Sequence, residues 1–170
     1  MAENRFGIIL PSNRVSEAIP LAEKADASSV DSIWTIETRL TGDAITPLAA
    51  YAANTGRIRV GSAGLPIWTR HPALIAQTFA TLNALAPGRV VLGLSAWWNP
   101  LAARVGVKLE RPITAMREVI ESDEAALEEF EPPFVSGSVC GNTEQDLGEA
   151  VFKVTNEGHF IEVGGVAPCR

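Results

Sequence analysis

Four short apolar runs in the chain's first 95 residues alternate with apolar positions at helical spacing. That alternation restricts its fold more than any other feature. Arg5 to Leu10 is apolar and closed by Pro11, after which Val15, Ala18, Ile19, Ala22 and Ala25 recur as one helix face. Ser16 is the expected N-cap, which would leave Pro20 in the first turn, where a missing N–H costs least. Val30 to Ile36 is the second apolar run; Asp43 is placed to cap a helix over Ala44 to Asn54, and Gly56 to stop it. Arg57 to Leu65 reads as the third strand. Pro72 suits a helix first turn, Leu74, Thr78, Leu82 and Leu85 mark one face of that helix, and it ends before Gly88. Arg89 to Ser95 is the fourth strand.

Strands alternating with helices at this spacing predict right-handed βαβ units on a parallel sheet, an α/β fold. The strands are apolar nearly throughout, as expected of strands covered on both faces. A fourth helix is expected from about Arg111 into the acidic Glu118 to Glu129 stretch. Pro132, Pro133 and the Ser/Gly/Asn-rich Val135 to Asn142 segment read as a loop. Val151 to Thr155 and His159 to Val163, separated by Asn156, Glu157 and Gly158, read as a β-hairpin with His159 exposed.

Charge is divided unevenly along the 170 residues. The net value is −6, yet residues 1–117 carry 12 basic and 8 acidic side chains, net +4, and residues 118–170 carry 2 and 12, net −10. No basic run clusters as a nucleic-acid binder requires, and an acidic half repels phosphate, so nucleic acid is not expected as a partner. Nor is a membrane, because nothing approaches the roughly 18 uninterrupted apolar residues of a span. Met1 to Asn13 shows no secretory cleavage pattern. Cys140 and Cys169 stand far apart without a Cys/His cluster, which argues against a disulfide scaffold and a zinc site and points to a cytoplasmic setting. The Glu118 to Glu131 run lacks histidine and ordered ligand spacing, so it reads as a solvated helix face and no metal is expected.

Several segments are more distinctive than their periodicity. Asp31-Ser32-Ile33-Trp34-Thr35-Ile36-Glu37-Thr38, Arg57-Ile58-Arg59-Val60-Gly61-Ser62, Trp68-Thr69-Arg70-His71-Pro72-Ala73-Leu74 and Pro87-Gly88-Arg89-Val90-Val91-Leu92-Gly93-Leu94 together resemble the luciferase-like oxidoreductase superfamily. Ala96-Trp97-Trp98-Asn99-Pro100-Leu101-Ala102, with Val105-Gly106 and Arg117-Glu118, is similar to the branch of coenzyme F420-dependent methylenetetrahydromethanopterin reductases. The match runs in order over roughly residues 5–121.

The resemblance implies a (β/α)8 TIM barrel with a flavin or deazaflavin at the C-terminal ends of its strands. Eight βα units need about 250 residues, whereas four are legible here. The expectation is therefore the N-terminal half of such a barrel over residues 1–121, followed by an acidic tail with a β-hairpin over residues 122–170. Strands one and four would then be open edges through which copies of the chain self-associate, most simply as a homodimer.

Carried over residue by residue, the resemblance gives a partial site. Glu37, as the catalytic candidate, and Thr38, as a cofactor contact, fall where relatives place an Asp-His pair beside the ring. Ser62, Ala63 and Gly64, as further cofactor contacts behind the ring, occupy a bulge on the third strand, with a cis peptide expected between Ala63 and Gly64. Ser95, Ala96 and Trp97 end the fourth strand, where main-chain amides and a small hydroxyl can meet the edge of a ring. Trp98 stands near a position that some relatives fill with a glutamic proton donor, and Trp98 and Arg70 are the substrate-pocket candidates. By composition alone Trp34 is a core residue, Trp97 and Trp98 suit a pocket wall and plain packing equally, and His71 suits a helix start.

Two functions follow. One is an oxidoreductase that moves a hydride between reduced coenzyme F420, or alternatively FMN, and a small organic substrate. The other is a catalytically incompetent half-barrel, a fragment or interaction subunit without the later loops that hold the cofactor's charged tail.

Overall fold

The computed structural model describes residues 6–37, 41–97, 99–127, 134–139, 150–154 and 160–163. The four expected strands are present as β1 (Gly7–Ile9), β2 (Ser32–Thr35), β3 (Arg59–Ser62) continued by the two-residue β4 (Leu65–Pro66), and β5 (Val90–Ser95). Between them run α1 (Val15–Asp26), α2 (Ile45–Ala53) and α3 (Pro72–Leu85). A short α4 (Asn99–Arg104) and a longer α5 (Pro112–Leu127) follow, then β6 (Phe134–Val139), β7 (Ala150–Val154) and β8 (Phe160–Val163).

All five of β1, β2, β3, β5 and β6 are parallel neighbours in that order, and β7 and β8 extend the sheet antiparallel. This is the βα order of a half (β/α)8 barrel. The expected hairpin is present as β7 and β8, with Val151 opposite Val163; the side chain of His159 lies outside the described residues.

Four local expectations are corrected. Residues 134–139 form a strand rather than a loop, because β5 offers a complete parallel edge and pairs it from Val91 opposite Phe134 to Ser95 opposite Ser138. The fourth strand is consequently no open edge. Helix α1 begins at Val15 with Arg14 in the capping position and no side-chain cap, so Ser16 is inside the helix and Pro20 lies beyond the first turn. Burial of Ala18, Ala22 and Ala25 in the hydrophobic core carries the helix past it. On α3 the buried face is Ile75, Ala76, Phe79 and Leu82, while Leu74 and Leu85 are about half exposed. The two stripes have the same period, and the one holding the aromatic ring is buried.

Asp43 stands one residue before Ala44, the N-cap of α2, and from there accepts the Thr46 amide at 2.7 Å, serving the helix start. His71 caps α3, its Nδ1 accepting the Ala73 amide at 3.3 Å, with Pro72 in the first turn.

The helices cover one face of the sheet. Ile33, Val60, Leu92 and Leu94 from the strands pack with Leu48, Tyr51, Phe79, Met116 and Ile120 in one buried cluster. The opposite face is built differently. Trp34 is half-buried there, and its indole lies over Gly7 of β1 and Gly61 of β3; a Cβ added at either would come within 2.6 and 2.5 Å of the ring. Trp34 Nε1 donates to Ser32 Oγ at 2.9 Å. So Trp34 is a residue of the uncovered face and not of the helix-side core.

At the N-terminal end of the strands, two charged side chains hold the turns. Asp26 accepts the amides of Gly56, Arg57 and Ile58 at 2.9, 2.9 and 2.7 Å. Arg89 donates to the carbonyls of Ala52, Thr55 and Ile58 and to Thr55 Oγ1. Among the described residues, no helix is long and apolar enough to cross a membrane.

Candidate functional site

Parallel strands bring their C-terminal ends to one rim, and the residues singled out in the sequence lie along it. Glu37 follows β2, Ser62 to Gly64 follow β3, and Ser95 to Trp97 end and follow β5. The rim is broken at one point. Gly61 is opposite Val91 and Leu65 is opposite Leu94, so four steps on one strand span three on the other. That is a one-residue bulge. The Ala63–Gly64 peptide within it is cis, as expected.

Side chains and a glycine fix the bulge in place. The Ser62 hydroxyl, fully buried, donates to the Gly93 carbonyl at 2.9 Å and accepts the Gly93 amide at 3.0 Å. The Ala63 amide donates to the Thr35 carbonyl at 2.7 Å. A Cβ on Gly64 would stand 2.9 Å from the Leu94 carbonyl, so only glycine lets this main chain rest on β5. Past the bulge, the Ile67 amide donates to the Ser95 carbonyl at 3.0 Å.

Glu37 and Arg70, 33 residues apart in sequence, are partners. Arg70 donates from one guanidinium nitrogen to Glu37 at 2.8 Å and from the other to Asp43 at 2.8 Å. Glu37 uses its second oxygen to accept the Ala44 amide at 3.2 Å, so the catalytic candidate also braces the start of α2. The Glu37 and Arg70 side chains are only 12 and 19% exposed, which shields their attraction from solvent. Burial pushes the Asp43 carboxyl up, but hydrogen bonds from the Thr46 hydroxyl and the amides of Thr46 and Ile45, with the Arg70 charge, hold its pKa below the ordinary value. Burial likewise opposes the Arg70 charge, and the hydrogen bond and charge of Glu37 together with Asp43 outweigh it, raising its pKa.

Ala96 is fully buried, and its carbonyl accepts the Trp68 indole N–H at 2.8 Å. Trp97 is 7% exposed, has a left-handed φ of 54°, and packs with Leu101 and Ala102 of α4 beside Trp68, Val107 and Leu109. The α4 segment and this second apolar cluster went unread in the sequence; the spacing of Leu101 and Ala102 is too short to carry a period. Thr38 and Trp98 lie outside the described residues. No group of three or more His, Cys, Asp or Glu that could hold a metal occurs among the described residues.

This chain is similar to several proteins of known sequence or structure. It is 27% identical over 161 residues, 94% of its own length, to the 5,10-methylenetetrahydromethanopterin reductase of Methanolobus tindarius, of which it spans 43%. The solved coenzyme F420 dependent tetrahydromethanopterin reductase of Methanopyrus kandleri superposes with a TM-score of 0.64 at 24% identity, over 71% of this chain and 39% of that one. The oxygenating constituent of 3,6-diketocamphane monooxygenase from Pseudomonas putida, solved in complex with FMN, gives 0.65 at 22% identity over 86% and 43%. At these identities the superpositions establish the fold, and the chain spans less than half the length of each of these three proteins. The profile of the luciferase-like monooxygenases matches residues 1–146, and the chain belongs to that family.

Proposed function

We propose that this chain carries the ring-side half of a flavin or deazaflavin site and serves hydride transfer between the reduced cofactor and a small organic substrate. The observation that carries the reading is the bulge, which lays the main chain of Ser62 to Gly64 against the end of β5 at the rim where barrels keep their chemistry. Membership of a family with F420-dependent and FMN-bound relatives supports the cofactor class.

The residues present fit a planar ring. The Ser95 and Ala96 carbonyls, each with a lone pair beyond the Ile67 amide and the Trp68 indole they accept, offer neutral acceptors, Trp97 packs in an apolar cluster, and its indole N–H is a buried donor without a partner among the described residues. When bound, the cofactor supplies the hydride or takes it up. Ala63, Gly64, Ser95, Ala96 and Trp97 would hold the ring edge, with Thr38 beside them by family resemblance. Glu37, fixed by Arg70 and the Ala44 amide, keeps a carboxylate at a set place on the rim and orients the loop after β2. Trp98 and Arg70 would border the substrate. F420 is the first choice and FMN the alternative.

A second reading keeps the fold without turnover, as a fragment or interaction subunit, and it draws on the span of under half of each solved relative. Each lost charge-assisted phosphate hydrogen bond removes roughly 1.5 to 3 kcal/mol. Losing two or three would weaken binding by about two to six orders of magnitude.

Titrating the purified protein with F420 and with FMN, followed by absorbance, separates the readings. Tight stoichiometric binding with turnover supports the first; binding weaker than micromolar without turnover supports the second.

A further inference from the structure

Trp97 stands out among the described residues for its indole. Its Nε1 is shut off from solvent and has no acceptor among them. The neighbouring indole, Trp68, takes the nearby Ala96 carbonyl at 2.8 Å. Trp97 packs in an apolar cluster with Leu101 and Ala102, against which Trp68, Val107 and Leu109 rest. A buried donor left unpaired forfeits the hydrogen bond it would make with water, and such exceptions in folded proteins call for an explanation. The backbone adds a second sign. At φ 54° Trp97 occupies the left-handed region, which bulky residues rarely adopt and which concentrates at ligand-binding places. The residue follows β5 directly after Ser95 and Ala96, at the rim already described.

We propose that the Trp97 indole N–H is the hydrogen-bond donor to a carbonyl oxygen of a neutral organic ligand seated against the Trp68–Leu101–Leu109 cluster. One uncharged donor in an apolar wall suits a neutral acceptor, because a carboxylate or phosphate would lose its hydration there without a counter-charge. A carbonyl can come from two sources, the edge of a flavin-type ring or a free ketone substrate. The assignment rests on the cofactor reading above only in its ring arm.

The test uses the full chain with 15N-labelled tryptophan, whose four indole N–H signals are assigned through the backbone and checked against Trp97→Phe. FMN is titrated in one experiment, cyclohexanone in a second, and methylenecyclohexane, which has the shape without the oxygen, in a third. The expected result is a downfield shift of the Trp97 signal with FMN or with cyclohexanone and none with methylenecyclohexane. Movement with FMN assigns the acceptor to the ring, and movement with cyclohexanone alone assigns it to substrate. Trp97→Phe should weaken that same ligand about tenfold, which is 1.4 kcal/mol. If FMN binds by absorbance and the Trp97 signal stays still in every titration, the inference falls and the cofactor reading stands. If neither FMN nor cyclohexanone binds, the inference falls, while the cofactor reading stands or falls on the F420 titration described above. Because the signal is read on the parent chain, a poorly folding Trp97→Phe does not remove the test.

Discussion

The Ser62 hydroxyl both donates to the Gly93 carbonyl at 2.9 Å and accepts the Gly93 amide at 3.0 Å, so one side chain supplies two links of a strand pair that the bulge interrupts. Ser62 is fully buried, and alanine there would leave both groups of Gly93 without these partners. Ser62→Ala should cost about 2 kcal/mol, the penalty for stranding buried polar groups. Urea unfolding should show a lower midpoint with an unchanged slope; a midpoint equal to the parent's would mean that the ladder closes without the hydroxyl.

Arg70 spans Glu37 and Asp43 with its two terminal nitrogens. Removing one partner of a buried ion pair costs about 3 to 5 kcal/mol. The partial exposure of Asp43, at 39%, brings the expectation for Arg70→Met to about 2 kcal/mol. Arg70→Lys should recover less than half of that, since an ammonium cannot serve two carboxylates with a planar fork. Equal stabilities of the Lys variant and the parent would show that only charge matters here.

Acid should unfold the chain partly through Asp26. Burial raises its pKa, but the amides of Gly56, Ile58 and Arg57 and the Arg57 charge lower it further, so the net shift is downward. A carboxyl with a depressed folded pKa contributes stability above its unfolded value of about 3.9 and loses it as pH falls through the folded value. Asp26→Asn should therefore be less stable at neutral pH and show a shallower loss as pH falls below about 4. Parallel stability curves for the two proteins would remove Asp26 from the acid transition.

Strand β1 pairs β2 on one side, and among the described residues nothing pairs its other side. The Phe6 carbonyl and Leu10 amide bond to β2, so the polar groups of Gly7 and Ile9 between them point outward. Ile9 is 61% exposed and Phe6 65%. We expect the chain to self-associate along this edge, with Gly7 of one copy opposite Ile9 of the other. Light scattering across a dilution series should report dimers for the parent and monomers for Ile9→Lys. A parent that stays monomeric at all concentrations would refute the pairing.

What the sequence disclosed divides by range. Asp43 bonding the Thr46 amide and His71 capping Ala73 act over two or three residues, and local rules found both. The bulge at Ser62 to Gly64 was reached through family resemblance, since no period marks it. The Glu37–Arg70 pair was missed as a pair, although both residues were singled out, because periodicity says nothing about which acid meets which base across 33 positions. Residues 134–139 were misread because Ser136, Gly137 and Ser138 have poor strand propensity, which the free edge of β5 overrides. Trp97 Nε1 illustrates the same limit, for a missing partner has no sequence signature.

Trp34 has a consequence for how such a face could change its shape. Where a barrel interior is usually filled by layers of several bulky residues, this face has one indole spread over Gly7 and Gly61. The space over these strands is thus set by Trp34, with Val91 beside it at Gly61. Trp34→Leu would open space above both glycines in one step, and Gly61→Ala would push the indole aside in another. The free space on this face is therefore adjustable without repacking the helices behind it.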